Sequence, residues 1–322
     1  MSDPGAGLEM RRVFAEMLVE LGGLDERIVV LDNDVGLTSL SERFKEAFPE
    51  RYVDLGIAEK NLFGTAAGLA ASGFVAIPTT FAAFAARCAM DQVSISIAYP
   101  GLDVKIPGHY IGGSRAGASH IAIEDLAVYR ALPNFRVADP ADNAELRAVM
   151  RVALAEPGPV YFRVSKLALP DLFGSDHTFT WGSGQILRPG RDVSLFATGM
   201  MTALSLAAAR ELGADGIDAE VVHLGSVKPI DAELIAASVT RTGCAVASEL
   251  GSINGGFASA VADVVVERCP VPLRRIGYRD QFVHSASIDQ ILDQHGLRPT
   301  DIAAAARDAI DARVAASTGA VA

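Results

Sequence analysis

Two α/β domains with mainly parallel sheets are what this sequence predicts, and three observations lead there. Short β-branched runs alternate with helical stretches along most of the 322 residues, as strands do when helices carry the chain to parallel neighbours. The length suits two domains better than one. The alternation stops once, between Leu167 and Arg191, where Pro, Gly, Ser and Thr with isolated aromatics take over. Such a stretch reads as a linker over the surface. The expected division is residues 1–168, a linker at 169–190, and residues 191–322.

In chain order, residues 8–22 have helical periodicity and "RIVVLDNDV" (27–35) is a buried strand ending in acids. "YVDLG" leaves a strand for an Ala/Gly-rich helix at 57–71. "FVAIPTTF" (74–81) is extended, and residues 82–99 read as one helix. Strands follow at 103–108, 135–140 and 159–165, with helices near 122–131 and 142–155. The second unit repeats the form: strands at 192–198, 219–226, 244–250 and 272–277. Its helices lie at 200–213, 231–240, 254–265, 287–295 and 299–313.

Half of the residues are hydrophobic and 21% are charged, a balance that builds a generous core. A formal net charge of −11 argues against a nucleic-acid partner, whose backbone demands excess Lys and Arg. Anionic small molecules need only a few local cations. Cys88, Cys244 and Cys269 are scattered without metal-ligand spacing, as in a reduced, cytoplasmic protein. The first residues lack the order of a signal peptide, and no apolar run is long enough to span a bilayer, so no membrane role is expected.

Ligands in open α/β sheets bind beyond the carboxyl ends of the strands. Four loops leave such ends with polar or aromatic residues: 32–39, 56–61, 79–84 and 108–125. The last is long, glycine-rich and holds His109 and His120, and long loops in compact domains are usually functional. No Walker loop, dinucleotide fingerprint or nucleophile elbow occurs. Asp32 and Asp34 are a general acid–base pair or simply turn residues. Glu59 suits a helix start by dipole logic alone.

Taken together and in this order, the loops are more specific. "GIAEKNLFGTAAGLAASGFVAIPTTFAAFAARCAMDQV" and "GASHIAIEDLAVYRALPNFRVADPAD" resemble the C-terminal half of transketolases. "VSLFATG", "VVHLGSVKPID", "ASELGSINGGFASAVAD" and "RIGYRDQF" are similar to that family's last domain. The resemblance runs through nearly the whole chain and implies a pyrimidine-binding domain followed by the transketolase C-terminal domain. The family's GDG…N motif, which holds the diphosphate and its metal, is absent from the sequence. The resemblance therefore implies one half of a split transketolase. Thiamine diphosphate would be shared with an N-terminal subunit that carries Mg2+ or Ca2+, in an α2β2 assembly whose copies of this chain also self-associate.

It also implies roles. Glu59 becomes the carboxyl group beside the cofactor's pyrimidine nitrogen, with burial expected to raise its pKa. Phe81 and Phe84 become aromatic walls of that pocket, and Asp34 a further cofactor contact. His120 matches the histidine of a "DGPTH" motif near the reacting carbonyl. His109, at a one-residue offset from a family histidine, together with Thr38 and Lys166, falls on the substrate side. Two departures stand out: Ala116 replaces the aspartate and Ala118 the proline of "DGPTH", and "SKLA" with Lys166 replaces "SRQN". Lysine binds an anion as a point charge, without arginine's fork. The implied substrates are sugars or sugar phosphates, with selection altered from ordinary transketolases. The β subunit of a 2-oxo acid dehydrogenase E1, a deoxyxylulose-phosphate synthase-like enzyme and a non-catalytic scaffold subunit remain alternatives.

Overall fold

The computed structural model describes residues 8–111 and 116–318. The first six strands are β1 (Ile28–Asp32), β2 (Tyr52–Asp54), β3 (Val75–Phe81), β4 (Lys105–His109), β5 (Arg136–Ala138) and β6 (Val160–Val164). The rest are β7 (Gln185–Arg188), β8 (Val193–Ala197), β9 (Ala219–His223), β10 (Ser226–Lys228), β11 (Ala245–Ser252) and β12 (Leu273–Tyr278). They form a seven-stranded sheet in the order β10-β5-β6-β4-β3-β1-β2 and a five-stranded sheet in the order β12-β11-β8-β9-β7. All pairings are parallel except β10 with β5 and β7 with β9. β1, β3, β4, β6, β8 and β9 are buried along their whole length, as parallel strands covered on both faces must be.

Apolar helix faces supply that cover. Phe14 and Met17 of helix Met10–Leu24 pack with Val30, Ile77 and Phe162 on one face of the first sheet. On the other face Leu62, Phe63 and Ala66 of helix Glu59–Ala71 join Val104, Ile106 and Tyr161. That second core runs on into Phe196, Val222 and Val261 of the other unit, so one apolar layer serves both sheets.

Three expected elements differ. Residues 82–99 are not one helix: helix Ala82–Arg87 stops, and a π-helix occupies Gln92–Ala98. There Tyr99 N–H donates to Ser94 O, five residues back, at 3.0 Å. The strand expected at 219–226 ends at His223, and the chain turns to make β10 on the edge of the first sheet. The Pro/Gly-rich stretch contains β7, a buried Phe179 edge-on to Trp181 at 4.9 Å, and two N–H groups, of Leu172 and Phe173, that donate to Asp142.

Arg163 of β6, 1% exposed, meets both units. Its guanidinium forks onto Asp125 at 2.6 and 2.7 Å, and donates to Asp139 at 3.2 Å and to the Leu250 carbonyl of β11 at 3.1 Å. A second buried link runs from Glu145 through His223 to Thr202, each step 2.8 Å.

Candidate active site

Where β1 ends, the acids of the first loop separate in role. Asp32 is 1% exposed and its oxygens are fully engaged. Oδ1 accepts from the N–H groups of Val35 and Gly36, and Oδ2 from the hydroxyls of Ser41 and Thr79. It builds the turn and ties β1 to β3. Asp34 is exposed, with φ 65°. Thr38 is half-buried and its carbonyl accepts from Arg11 at 3.0 Å.

Between those acids, Asn33 is only 2% exposed, and its Nδ2 donates to Glu59 Oε1 at 3.3 Å. Its Oδ1 is buried without a hydrogen-bond partner. Glu59 is the first residue of helix Glu59–Ala71, preceded by Ala58, which has no side chain to cap it. The carboxyl group is half-buried at the sheet's carboxyl edge, less enclosed than the sequence suggested.

Aromatic rings gather where β3 and β4 end. Phe81 and Phe84 lie 5.3 Å apart between ring centroids, and the His120 ring sits 5.7 Å from the first and 5.2 Å from the second. His120 Nδ1 is 2.9 Å from Ser119 Oγ. The Tyr110 ring lies 4.6 Å from that of Phe81 and tilted to it by 35°, and its hydroxyl is 2.7 Å from Lys166 Nζ, which also lies 4.3 Å from the Tyr110 ring centre. Phe81, Phe84, His120 and Lys166 thus belong to one connected group.

His109 goes elsewhere. Neighbouring residues of a strand leave on opposite faces, and His109 turns into the core, 3% exposed, edge-on to Phe14 at 4.9 Å. Burial, helped by the Arg11 charge, pushes its pKa down to about 3, so the ring is neutral near pH 7. The loop bearing His120 is clasped by Arg87, which donates to the carbonyls of Ala118 (2.9 Å) and Ile121 (3.0 Å) and pairs with Glu124. Ala116 lies exposed on that loop. Among the described residues no group of three or more His, Cys, Asp or Glu side chains could hold a metal ion. Nor is any helix among them long and apolar enough to cross a membrane.

Sequence reasoning missed Asn33, Tyr110 and Arg87. The offset at His109 was a signal for Tyr110, since one residue of shift exchanges the two faces of a strand. Asn33 was hidden in an Asp/Asn turn, and nothing in the sequence marked Arg87.

Comparison with known proteins bears directly on this arrangement. Residues 6–171 match the transketolase pyrimidine binding domain, and residues 182–302 the transketolase C-terminal domain. The chain belongs to the transketolase family. Among its transketolase relatives is the 6-deoxy-6-sulfo-D-fructose transketolase subunit SqwH of Clostridium sp. (strain MSTE9). The two are 40% identical over 93% of this chain and 94% of the relative. A putative transketolase C-terminal section of Methanocaldococcus jannaschii is 37% identical over 91% of this chain and 94% of its own length. A solved structure described as a split gene transketolase, inactive beta4 tetramer, superposes with a TM-score of 0.90 at 43% identity, covering 95% of this chain and 100% of that one. The two α/β domains are therefore those of a transketolase, and this chain is similar nearly end to end to split transketolase subunits.

Proposed function

We propose that this chain is the catalytic subunit of a two-component, thiamine diphosphate-dependent transketolase that moves a two-carbon ketol unit between sugars or sugar phosphates. The observation that carries the reading is the meeting of Phe81, Phe84 and His120 at the end of β3, with Glu59 presented at the same sheet edge. The residues fit the cofactor's pyrimidine half: a carboxyl group, two aromatic rings and a buried oxygen, Asn33 Oδ1, that still lacks a donor. When bound, thiamine diphosphate supplies an acidic C2–H whose proton its own aminopyrimidine can take.

Each residue then has a task. Glu59, with Oε1 engaged by Asn33, holds or releases a proton at the pyrimidine ring nitrogen through Oε2. Phe81 and Phe84 wall the ring by offset stacking, with Asp34 as a further cofactor contact. His120 hydrogen-bonds the reacting carbonyl side and moves protons there. Lys166 meets the anionic end of the sugar, Thr38 lines the substrate side, and His109 supports that strand end from the core. The SqwH relative's name specifies a sulfonated ketose, and a lysine point charge suits a sulfonate as well as a phosphate. With Ala116 in place of an acid, this favours an anion-terminated ketose other than the ordinary pentose phosphate.

In this reading a separate N-terminal subunit brings the GDG…N motif and its Mg2+ or Ca2+, completing an α2β2 enzyme, and the boundary between this chain's two domains falls within 169–190. Leu37 and Ile57, 78% and 79% exposed on the first two loops, are apolar surface for that subunit to cover. The test is reconstitution with the partner. The lone chain should show no ketol transfer, and Glu59→Gln should cut C2-proton exchange in the complex by about a hundredfold or more. Exchange at the wild-type rate would refute the assignment of Glu59, and full activity of the lone chain would refute the split.

A further inference from the structure

Asn33 holds one end of its amide to Glu59 and leaves the other unused. The side chain is 2% exposed, Nδ2 donates to Glu59 Oε1 at 3.3 Å, and Oδ1 is buried with no partner. Buried amides normally satisfy both ends, because an unpaired acceptor loses its water for nothing in return. A fold that only needed this space filled would favour an apolar side chain there. The amide is thus poorly explained by stability and well explained by what it touches.

We propose that Asn33 is a positioning residue for Glu59, one that holds Oε1 and so fixes the rotation of the carboxyl group. The inference rests on the proposed role of Glu59. A donor hydrogen bond stabilises a carboxylate more than a carboxylic acid. With Oε1 occupied, Oε2 is the oxygen that exchanges a proton with the ligand's ring nitrogen. When that proton leaves Oε2 the carboxyl becomes a carboxylate, and the Asn33 N–H bond strengthens as it does so.

The charged and titratable groups around Glu59 come from three elements. Lys60 follows it on its own helix. Cys88, whose thiol is pushed up by burial and then by the Glu59 charge, and Arg87 come from the end of helix Ala82–Arg87. Asp32 and Asp34 flank Asn33 after β1. Arg87 is engaged with Glu124, Asp32 with its four donors, and Asp34 is exposed. Among the described residues Asn33 is the side chain that hydrogen-bonds Glu59.

The test uses the full chain labelled with carboxyl-13C glutamate, the Glu59 signal being the one lost in Glu59→Gln. Asn33→Leu should increase the mobility of that carboxyl group, read from its 13C relaxation, because the hydrogen bond that holds Oε1 is gone. Its melting temperature should be equal or higher. Asn33→Asp, which adds a like charge and removes the donor, should free the carboxyl group in the same way. In the reconstituted enzyme C2-proton exchange should fall about tenfold in both variants as alignment of the carboxyl group is lost. Unchanged carboxyl relaxation in both variants, with exchange still abolished by Glu59→Gln, would overturn the role of Asn33 alone. Exchange surviving Glu59→Gln would instead remove the assignment of Glu59 on which the proposal stands.

Discussion

Tyr110 occupies backbone space that residues with a Cβ seldom enter, with φ 62°, a conformation that costs ~1–3 kcal/mol. It turns the ring onto Phe81 and brings the hydroxyl to Lys166, an exposed side chain that would otherwise sample many rotamers. Tyr110→Phe keeps the ring and loses that bond. With a hydrogen bond worth about 1 kcal/mol, KM for an anion-terminated sugar should rise roughly fivefold while kcat stays within about twofold. Unchanged KM in steady-state assays would show that the hydroxyl does not organise Lys166 for substrate. Glu59, Phe81, Phe84 and His120 could be singled out from the sequence because each sits inside a run of matching neighbours, and the structure brings the last three together. Tyr110 and Asn33 were not, because their meaning lies in contacts with residues tens of positions away.

Helix Ala82–Arg87 shows how one short element serves the candidate site twice. Phe84 and Arg87, three residues apart, share a face of the helix. The first meets the His120 ring and the second clasps that histidine's loop at Ala118, Ile121 and Glu124. Arg87→Ala should therefore speed amide hydrogen exchange across residues 117–124 and lower kcat about tenfold by loosening alignment. The partly exposed ion pair contributes only about 1 kcal/mol or less, so stability should barely move. Exchange rates that match wild type would place the loop's rigidity elsewhere. Most elements were legible from periodicity, since buried parallel strands are apolar throughout and their helices repeat near 3.6 residues. The π-helix at Gln92–Ala98 was not, because its apolar residues still suit an ordinary helix and only the backbone bonding reveals the change. β10 was hidden for a related reason: three residues carry too little pattern, and their pairing with β5 is decided by tertiary contact.

At the scale of the whole molecule, the two units meet around a buried imbalance of charge. Asp125, Asp139 and Glu249 surround the one guanidinium of Arg163, and all four side chains are almost wholly inside the protein. "VYFRVS" gave no hint of this, as a lone arginine in an apolar strand declares no partners. One cation cannot hold three carboxylates ionised in a medium of low polarity. Asp125 takes the bidentate bond: burial works against its ionisation, but the Arg163 charge and hydrogen bonds prevail and lower its pKa. Burial raises Asp139 to about 6 and Glu249 to about 7, despite the two N–H groups of Phe257 and Ala258 that donate to Glu249. These are raised acids, so the folded chain keeps protons that the unfolded chain has released. Stability from these two groups is therefore full below pH 4 or so and falls as pH rises towards 6 and 7. Asp125 has the opposite sign, and its contribution is lost only in more acidic solution. For Glu249 the span from its ordinary value of 4.5 to about 7 corresponds to roughly 3 kcal/mol. Glu249→Gln cannot titrate, so its unfolding free energy should fall less steeply than wild type between about pH 5 and about pH 7, measured by urea denaturation and converging on a pH-independent difference above that. Parallel profiles for the two proteins would mean that Glu249 is ionised throughout and that Arg163 neutralises more of the cluster than its geometry suggests. A shallower profile would identify Glu249, at the junction between the domains, as one source of the stability lost as pH rises.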